Sequence, residues 1–377
     1  MIIMFFEQGP IRPPSEAESL FIRVTRNCPW NKCLFCPVYK REKFSRRSVE
    51  EIKDDIRAMH EAALKVKAYA LKAGDGINIT QDTLQLVYRR EPELLQIALW
   101  LYKGGKNVFL QDADSLVMPA EKLAEVLRFL KEQFPTVQRI TTYARAKTVS
   151  RRSVEELKLL KEAGLSRVHI GLETGYDPLL SFMCKGVTAE EHIEAGLKVK
   201  EAGLSLSEYV LLGLGGQRFW REHALETARV LSIIDPHFIR IRTLALREGI
   251  PLMEKVETGE FIPLKDDEIV REERLMLDNL EGSGYLVSDH ILNLLEEVEG
   301  KLPEDKPAML AVIDRYLAMS PEERGNFRIG RRTGYYRYLG DMKDQTLYAQ
   351  VEALRRRLRE QGRDEDEFLE ECRRRYL

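Results

Sequence analysis

In the first two thirds of this chain six short apolar runs alternate with helical stretches, and no other feature restricts its fold as strongly. The runs are LFIRVT (20–25), NVFLQ (107–111), QRITTY (138–143), RVHIGL (167–172), LSEYVLL (206–212) and HFIRIRT (237–243). Helical stretches follow at about 48–72, 119–134, 153–163, 188–202 and 219–234, with a less readable insertion and a helix near 82–103. Pro119 suits a first turn, where its missing N–H is not needed, and Gly164 and Gly203 stop two helices as cap glycines do. Strands alternating with helices predict a parallel sheet with right-handed crossovers.

Reading the strands by alternate residues sharpens that prediction. On the fourth, Arg167, His169, Gly171 and Glu173 share one face and Val168, Ile170 and Leu172 the other. On the sixth, Arg240 and Arg242 oppose Ile239 and Ile241; Thr141, Tyr143 and Arg145 share a face on the third, and Phe21, Arg23 and Thr25 on the first. Helices cover the outside of a parallel sheet, so the apolar parity faces them and the polar parity faces inward. A closed eight-stranded barrel packs branched apolar residues there, and unpaired arginines in a dry core are costly. The pattern therefore predicts six strands that do not close, around a polar, wet interior, with His169 as a satisfied barrel histidine. Glu208 falls among the apolar set of the fifth strand, and pattern gives no account of it.

Charge excludes one class of function. Lys plus Arg number 59 against 61 Asp plus Glu, a formal charge of -2, so nucleic acid is not bound by bulk charge, although a local basic cleft stays open. The N-terminus is apolar for only six residues and lacks a basic start, and no segment approaches eighteen uncharged apolar residues, which predicts a cytoplasmic protein without a membrane span. Beyond about 265, LNLLEEVE, AMLAVIDRYLAM and QVEALRRRLREQ have helical spacing, with Ser288 or Asp289 read as a helix N-cap. Arg355 to Arg357, Arg359 and Arg373 to Arg375 are offset by Glu352, Glu360, Asp364 to Glu367, Glu370 and Glu371, which reads as a solvated helix face.

The five cysteines are unevenly placed. Cys28, Cys33 and Cys36 share one loop after the first strand, whereas Cys184 and Cys372 are distant and read as plain thiols. Structural zinc usually takes four ligands, and no second cysteine pair or paired histidines accompany these three. Three thiolates on a short loop suit an iron–sulfur cubane with one iron left open for a substrate or cofactor. Phe35, beside Cys36, would shield it from water.

CPWNKCLFC and the strand pattern together resemble the radical S-adenosylmethionine (SAM) enzymes, over roughly residues 18–255. The resemblance implies an α/β fold, a partial (β/α)6 TIM-like barrel, flanked by an N-terminal extension over 1–17 and a helical C-terminal region over 256–377. The spacing here is C-x4-C-x2-C, one residue longer than the usual C-x3-C-x2-C, and the extra residue is expected to bulge the loop at Trp30 and Asn31. QDADSL, with Asp112 and Asp114, stands where the family has a glycine-rich GGE-type segment that binds the SAM amino group. HIGLETG resembles the branch with coproporphyrinogen oxidases, Elongator-type catalytic subunits and methylthiotransferases, in which Glu173 matches a residue contacting SAM. Lys185, in MCKGVT, matches a basic residue of that branch; GLGG (213–216) resembles its GLPG turn and REGIPL (247–252) its PGTPL segment.

The resemblance implies reductive cleavage of SAM at a [4Fe-4S] cluster held by Cys28, Cys33 and Cys36, giving a 5′-deoxyadenosyl radical that abstracts hydrogen from a substrate the motifs do not name. It implies a reductant such as a flavodoxin or ferredoxin. Arg145 and Tyr143 are the candidates for the methionine carboxylate. Arg240 and Arg242 are placed with the cofactor-binding residues, either on an anionic ligand or paired with a cavity carboxylate. Two alternatives stay open: modification of RNA by the same chemistry, and a non-enzymatic iron–sulfur or zinc redox sensor.

Overall fold

The computed structural model describes residues 6–375. The first five residues, which carry most of the apolar start, and the last two lie outside it. The chain forms two compact units, one of residues up to Asn31 with Arg41–Ile170 and Leu197–Leu206, the other of Lys32–Lys40, Gly171–Gly196 and Ser207 onward. The fold is α/β, a partial (β/α)6 TIM-like barrel with a helical C-terminal extension.

The first unit holds β1 (Leu20–Arg23), β2 (Asn107–Gln111), β3 (Arg139–Ala144) and most of β4 (Leu165–Glu173). All pair in parallel, Phe21 beside Phe109, Phe109 beside Thr141 and Thr141 beside Arg167. β1 is shorter than predicted: after Val24 the chain leaves the sheet, and Thr25–Arg26 pairs antiparallel with Ser45–Arg46. The helix α1 (Val49–Ala73) starts at Ser48, whose hydroxyl accepts from Glu51 N while the Glu51 carboxylate accepts from Ser48 N. Its buried stripe, Ile52, Ile56, Met59, Ala63, Val66 and Ala70, has the helical period, and Gly74 ends it with φ 85°. The single helix expected near 82–103 is two, Gln81–Arg90 and Leu95–Tyr102, because Pro92 lacks an N–H and begins a 3-10 turn between them.

The inner parity of this unit is paired rather than simply hydrated. His169 and Glu16 are both buried, with Nε2 and Oε1 3.6 Å apart; Glu16 Oε2 accepts from Arg139 at 3.0 Å and from Ser19 at 2.7 Å. The N-terminal extension thus supplies the carboxylate that the strands lack.

The second unit holds β5 (Ser205–Leu212, from Ser207), β6 (Phe238–Thr243), β7 (Tyr285–Val287) and β8 (Gly300–Lys301). β5, β6 and β7 are parallel, with Tyr209 beside Arg240 and Arg240 beside Val287, and β8 returns antiparallel. Two strands therefore extend the six that the pattern predicts. Gly284 permits this, since a Cβ there would meet Pro236 O at 2.0 Å. The predicted helix over LNLLEEVE is instead a loop. Leu292, Leu294, Leu295 and Val298 are all buried, and the backbone is held off a helical course by Asn293 Nδ2, which donates to Ile241 O and to Ser288 Oγ. Ser288 and Asp289 consequently cap no helix. Helices resume at Lys306–Leu317, Pro321–Arg332, Gln345–Glu360 and Glu365–Arg375. Among the described residues no helix is long and apolar enough to cross a membrane.

Candidate active site

The cysteine loop begins under tension from its own anchor. Asn27 and Asn31, on either side of Cys28, have φ 67° and 49°, a left-handed geometry that asparagine tolerates better than most residues. Asn27 N donates to Asp112 Oδ2 at 3.1 Å, and Arg23 Nε donates to the same oxygen at 2.7 Å. Arg23 also reaches Asn27 Oδ1 at 3.0 Å and Glu7 at 2.8 Å. Asp112, fully buried, thus ties the end of β2 to the residue that precedes the first cysteine. Asn31 N donates to Cys28 Sγ at 3.4 Å, and its left-handed backbone lies where the extra residue was expected to bulge the loop.

Asp114 lies two residues farther on. It is buried, accepts from Thr148 Oγ1 at 2.5 Å, and burial pushes its pKa up to about 6. In the same unit the Arg145 guanidinium stands 5.0 Å over the Trp30 ring, and Tyr143 meets Phe109 edge-on at 5.2 Å and lies 5.5 Å from His169.

The second unit carries Cys33 and Cys36, both partly exposed, with Cys36 N donating to Cys33 O at 3.4 Å. Leu34 is pinned on both sides: its N–H donates to Met183 O at 3.0 Å and its carbonyl accepts from Leu252 N at 3.1 Å. Leu34 and Phe35 pack on Leu179, Met183, Leu214 and Leu252. Lys185 Nζ lies 5.6 Å over the Phe35 ring and donates to Glu173 Oε1 at 3.0 Å. Glu173 has φ 64°, a strained geometry for a glutamate, and its carboxylate curls back over Gly171, where a Cβ would lie 2.3 Å from Oε1. Gly175 N donates to Thr227 Oγ1 at 3.0 Å, and Thr174 Oγ1 lies 2.8 Å from His223 Nδ1, which locks the turn onto the helix Gly216–Ile234. The GLETG string thus places a bent glutamate beside a lysine and an aromatic ring.

Two further placements bear on the site. Glu208 is fully buried, neither of its oxygens has a hydrogen-bond partner, and burial raises its pKa well above the carboxylate range against the pull of Lys185. Sequence reading left it unassigned, though its place among apolar neighbours was the signal. Arg240 and Arg242 each donate from Nη1 to Asp289, at 2.6 Å and to opposite oxygens.

Among the described residues no three His, Cys, Asp or Glu side chains already stand together as a metal-binding group. The donor chemistry nonetheless suits a cluster: three accessible soft sulfurs on one loop, one of them already accepting a backbone N–H.

Residues 78–228 match the radical SAM superfamily. That stretch is similar to a radical SAM domain, an enzyme domain whose cofactors are a [4Fe-4S] cluster and SAM. The match begins after the cysteine loop, so the ligand assignment rests on the loop itself. A tRNA uridine(34) acetyltransferase of Methanocaldococcus jannaschii is 26% identical over 121 residues, 31% of this chain and 22% of that protein. A biotin synthase of Clostridium perfringens is 34% identical over 120 residues, 31% of this chain and 34% of that protein. The crystal structure of a methylornithine synthase superposes with a TM-score of 0.41 at 18% identity, covering 78% of this chain and 68% of that one. The chain spans about half or less of the length of the first curated relatives it matches.

Proposed function

We propose that this protein is a radical SAM enzyme acting on a substrate of its own, with residues 18–255 as the catalytic barrel and 1–17 and 256–377 as its extensions. A bound [4Fe-4S] cluster, with a flavodoxin or ferredoxin as its reductant, would supply the one-electron chemistry of SAM cleavage and hydrogen abstraction from the substrate. In this reading Cys28, Cys33 and Cys36 hold the irons, and Asp112 sets the loop's entry by fixing Asn27. Phe35 excludes water beside them. Glu173 and Lys185, already paired, present an acceptor and a donor to the hydroxyl and carboxylate groups of SAM. Asp114 supplies a buried acceptor for its ammonium, and Arg145 with Tyr143 a contact for its carboxylate.

The observation that carries the reading is the Glu173–Lys185 pair over Phe35, because a strained glutamate is retained only where its position is used. Anaerobically reconstituted protein given SAM and dithionite should release 5′-deoxyadenosine. Changing any one of Cys28, Cys33 or Cys36 to Ala should abolish both the visible cluster absorbance and the release, while Cys184→Ala and Cys372→Ala keep both. About four irons still bound after all three changes would end the reading. Metal binding without SAM cleavage would instead leave a redox sensor. The likeness to a tRNA-acting relative favours RNA as a second substrate class, for which co-purifying RNA is the test.

A further inference from the structure

We propose that Arg240 and Arg242, held on opposite oxygens of Asp289, form the binding site for a carboxylate group of the substrate. The inference rests on the radical SAM reading for the reaction but on its own residues for the ligand.

Both arginines sit on the polar parity of β6, opposite Ile239 and Ile241. Each spends one Nη1 on Asp289, and Arg242 Nη1 also donates to Ile241 O at 2.8 Å. That leaves buried donors unused: Arg240 Nε and Arg242 Nη2 have no hydrogen-bond partner. A buried guanidinium donor without an acceptor is costly, so a fold that keeps two of them side by side gains when a ligand completes them.

Charge gives the ligand's class. Two guanidiniums against one carboxylate leave a surplus of one positive charge. His290 adds none, because burial, and then Arg242, hold its pKa down to about 4. A surplus of one matches a carboxylate better than a dianionic phosphate, and a planar guanidinium presents parallel donors to two carboxylate oxygens. The geometry is fixed beforehand. Arg242 lies 5.0 Å over the Tyr209 ring, and Asn293 ties the Asp289 loop to β6 through Ile241 O and Thr243 Oγ1. Asp289 retains 28% of its side-chain surface in solvent and Arg242 12%, so the group opens to water on the Asp289 side.

The test titrates butyrate, and separately inorganic phosphate, into full-length cluster-loaded protein whose arginines carry nitrogen-15, following the side-chain resonances under anaerobic conditions. Saturable shifts of the Arg240 and Arg242 signals by butyrate are expected, absent in Arg242→Gln. In Asp289→Asn, which removes the competing carboxylate, binding should tighten by about tenfold. A purely structural arginine pair would show neither. No saturable shift in the native protein overturns the proposal, as does phosphate acting at lower concentration than butyrate. Loss of the butyrate response on adding SAM also overturns it, since the pair would then belong to the cofactor. Release of 5′-deoxyadenosine by the same native preparation separates the two readings. Release without a butyrate response sinks the carboxylate site alone, and a butyrate response without release sinks the radical chemistry alone.

Discussion

In the second unit Asp266 and Asp289 each draw two arginines, with opposite consequences. Asp266, fully buried, accepts from Arg332 at 2.7 Å and from Arg373 on the same oxygen, and Arg373 also pairs with Glu370. There two cations meet two carboxylates, and Arg332 Nη1 finishes on Leu292 O at 2.7 Å. The group is balanced and joins the last helix and the helix Pro321–Arg332 to the helix Asp266–Asn279 and to the loop at Leu292. Asp289 meets Arg240 and Arg242 at equal distance but without a second acid and with a face in water. Similar composition thus makes a clamp in one place and an incomplete, positively charged site in the other. What separates them is charge balance and access to solvent, not residue type.

The largest effect expected from that contrast is in the clamp. Asp266→Asn leaves two buried guanidiniums facing a neutral amide, and should cost about 3–5 kcal/mol in urea unfolding. Burial alone would raise the Asp266 pKa, but Arg332 and Arg373 outweigh it and hold it below the usual range. Its contribution is therefore complete above an unfolded pKa of about 4 and is lost as pH falls toward the lower folded value. The variant should lack that acid limb; an unchanged limb would mean that Asp266 is no clamp.

A carboxylate on the same helix but without a cation sharpens the contrast. Glu273 is buried, and burial raises its pKa from 4.5 to about 8. Between those values the folded state holds more protons than the unfolded chain, so stability falls as pH rises, by up to about 1.4 kcal/mol per pH unit, and levels off above 8. Glu273→Gln should flatten that fall and be the more stable protein at pH 7.5, by urea melts across pH 5 to 9. Parallel slopes in the two proteins would show that Glu273 finds its charge partner after all.

Neither aspartate's role was readable in the sequence, and the reason is physical. Alternation along a strand and the 3.6-residue period of a helix are local, and they placed the first six strands within a few residues. The GLETG string stood out by its likeness to a family segment, whereas the partner its glutamate takes, Lys185, lies 12 positions away. Ion pairs between remote residues leave no such period. Glu16 reaches Arg139 from 123 positions away, and Asp112 reaches Asn27 from 85. The polar parity of the strands announced that partners were needed without saying which. Pattern also misplaced 292–299, where four apolar residues at helical spacing are buried on every side and the backbone follows the Asn293 hydrogen bonds instead.

The smallest effect is the most telling for the comparison. Asp289→Asn keeps an acceptor near Arg240 and Arg242 while removing the charge, the same change as in the clamp. Because Asp289 is part-exposed, water can replace part of what the carboxylate gave to Arg240 and Arg242. The expected cost in urea unfolding is about 1 kcal/mol or less, against the several expected for Asp266→Asn. The lowered pKa of Asp289, which burial opposes and Arg242 and Arg240 produce, puts that small contribution above about pH 4, with loss below it. A cost equal to that of the clamp would make Arg240 and Arg242 structural, and the positive surplus on β6 would then hold the fold together rather than wait for a ligand.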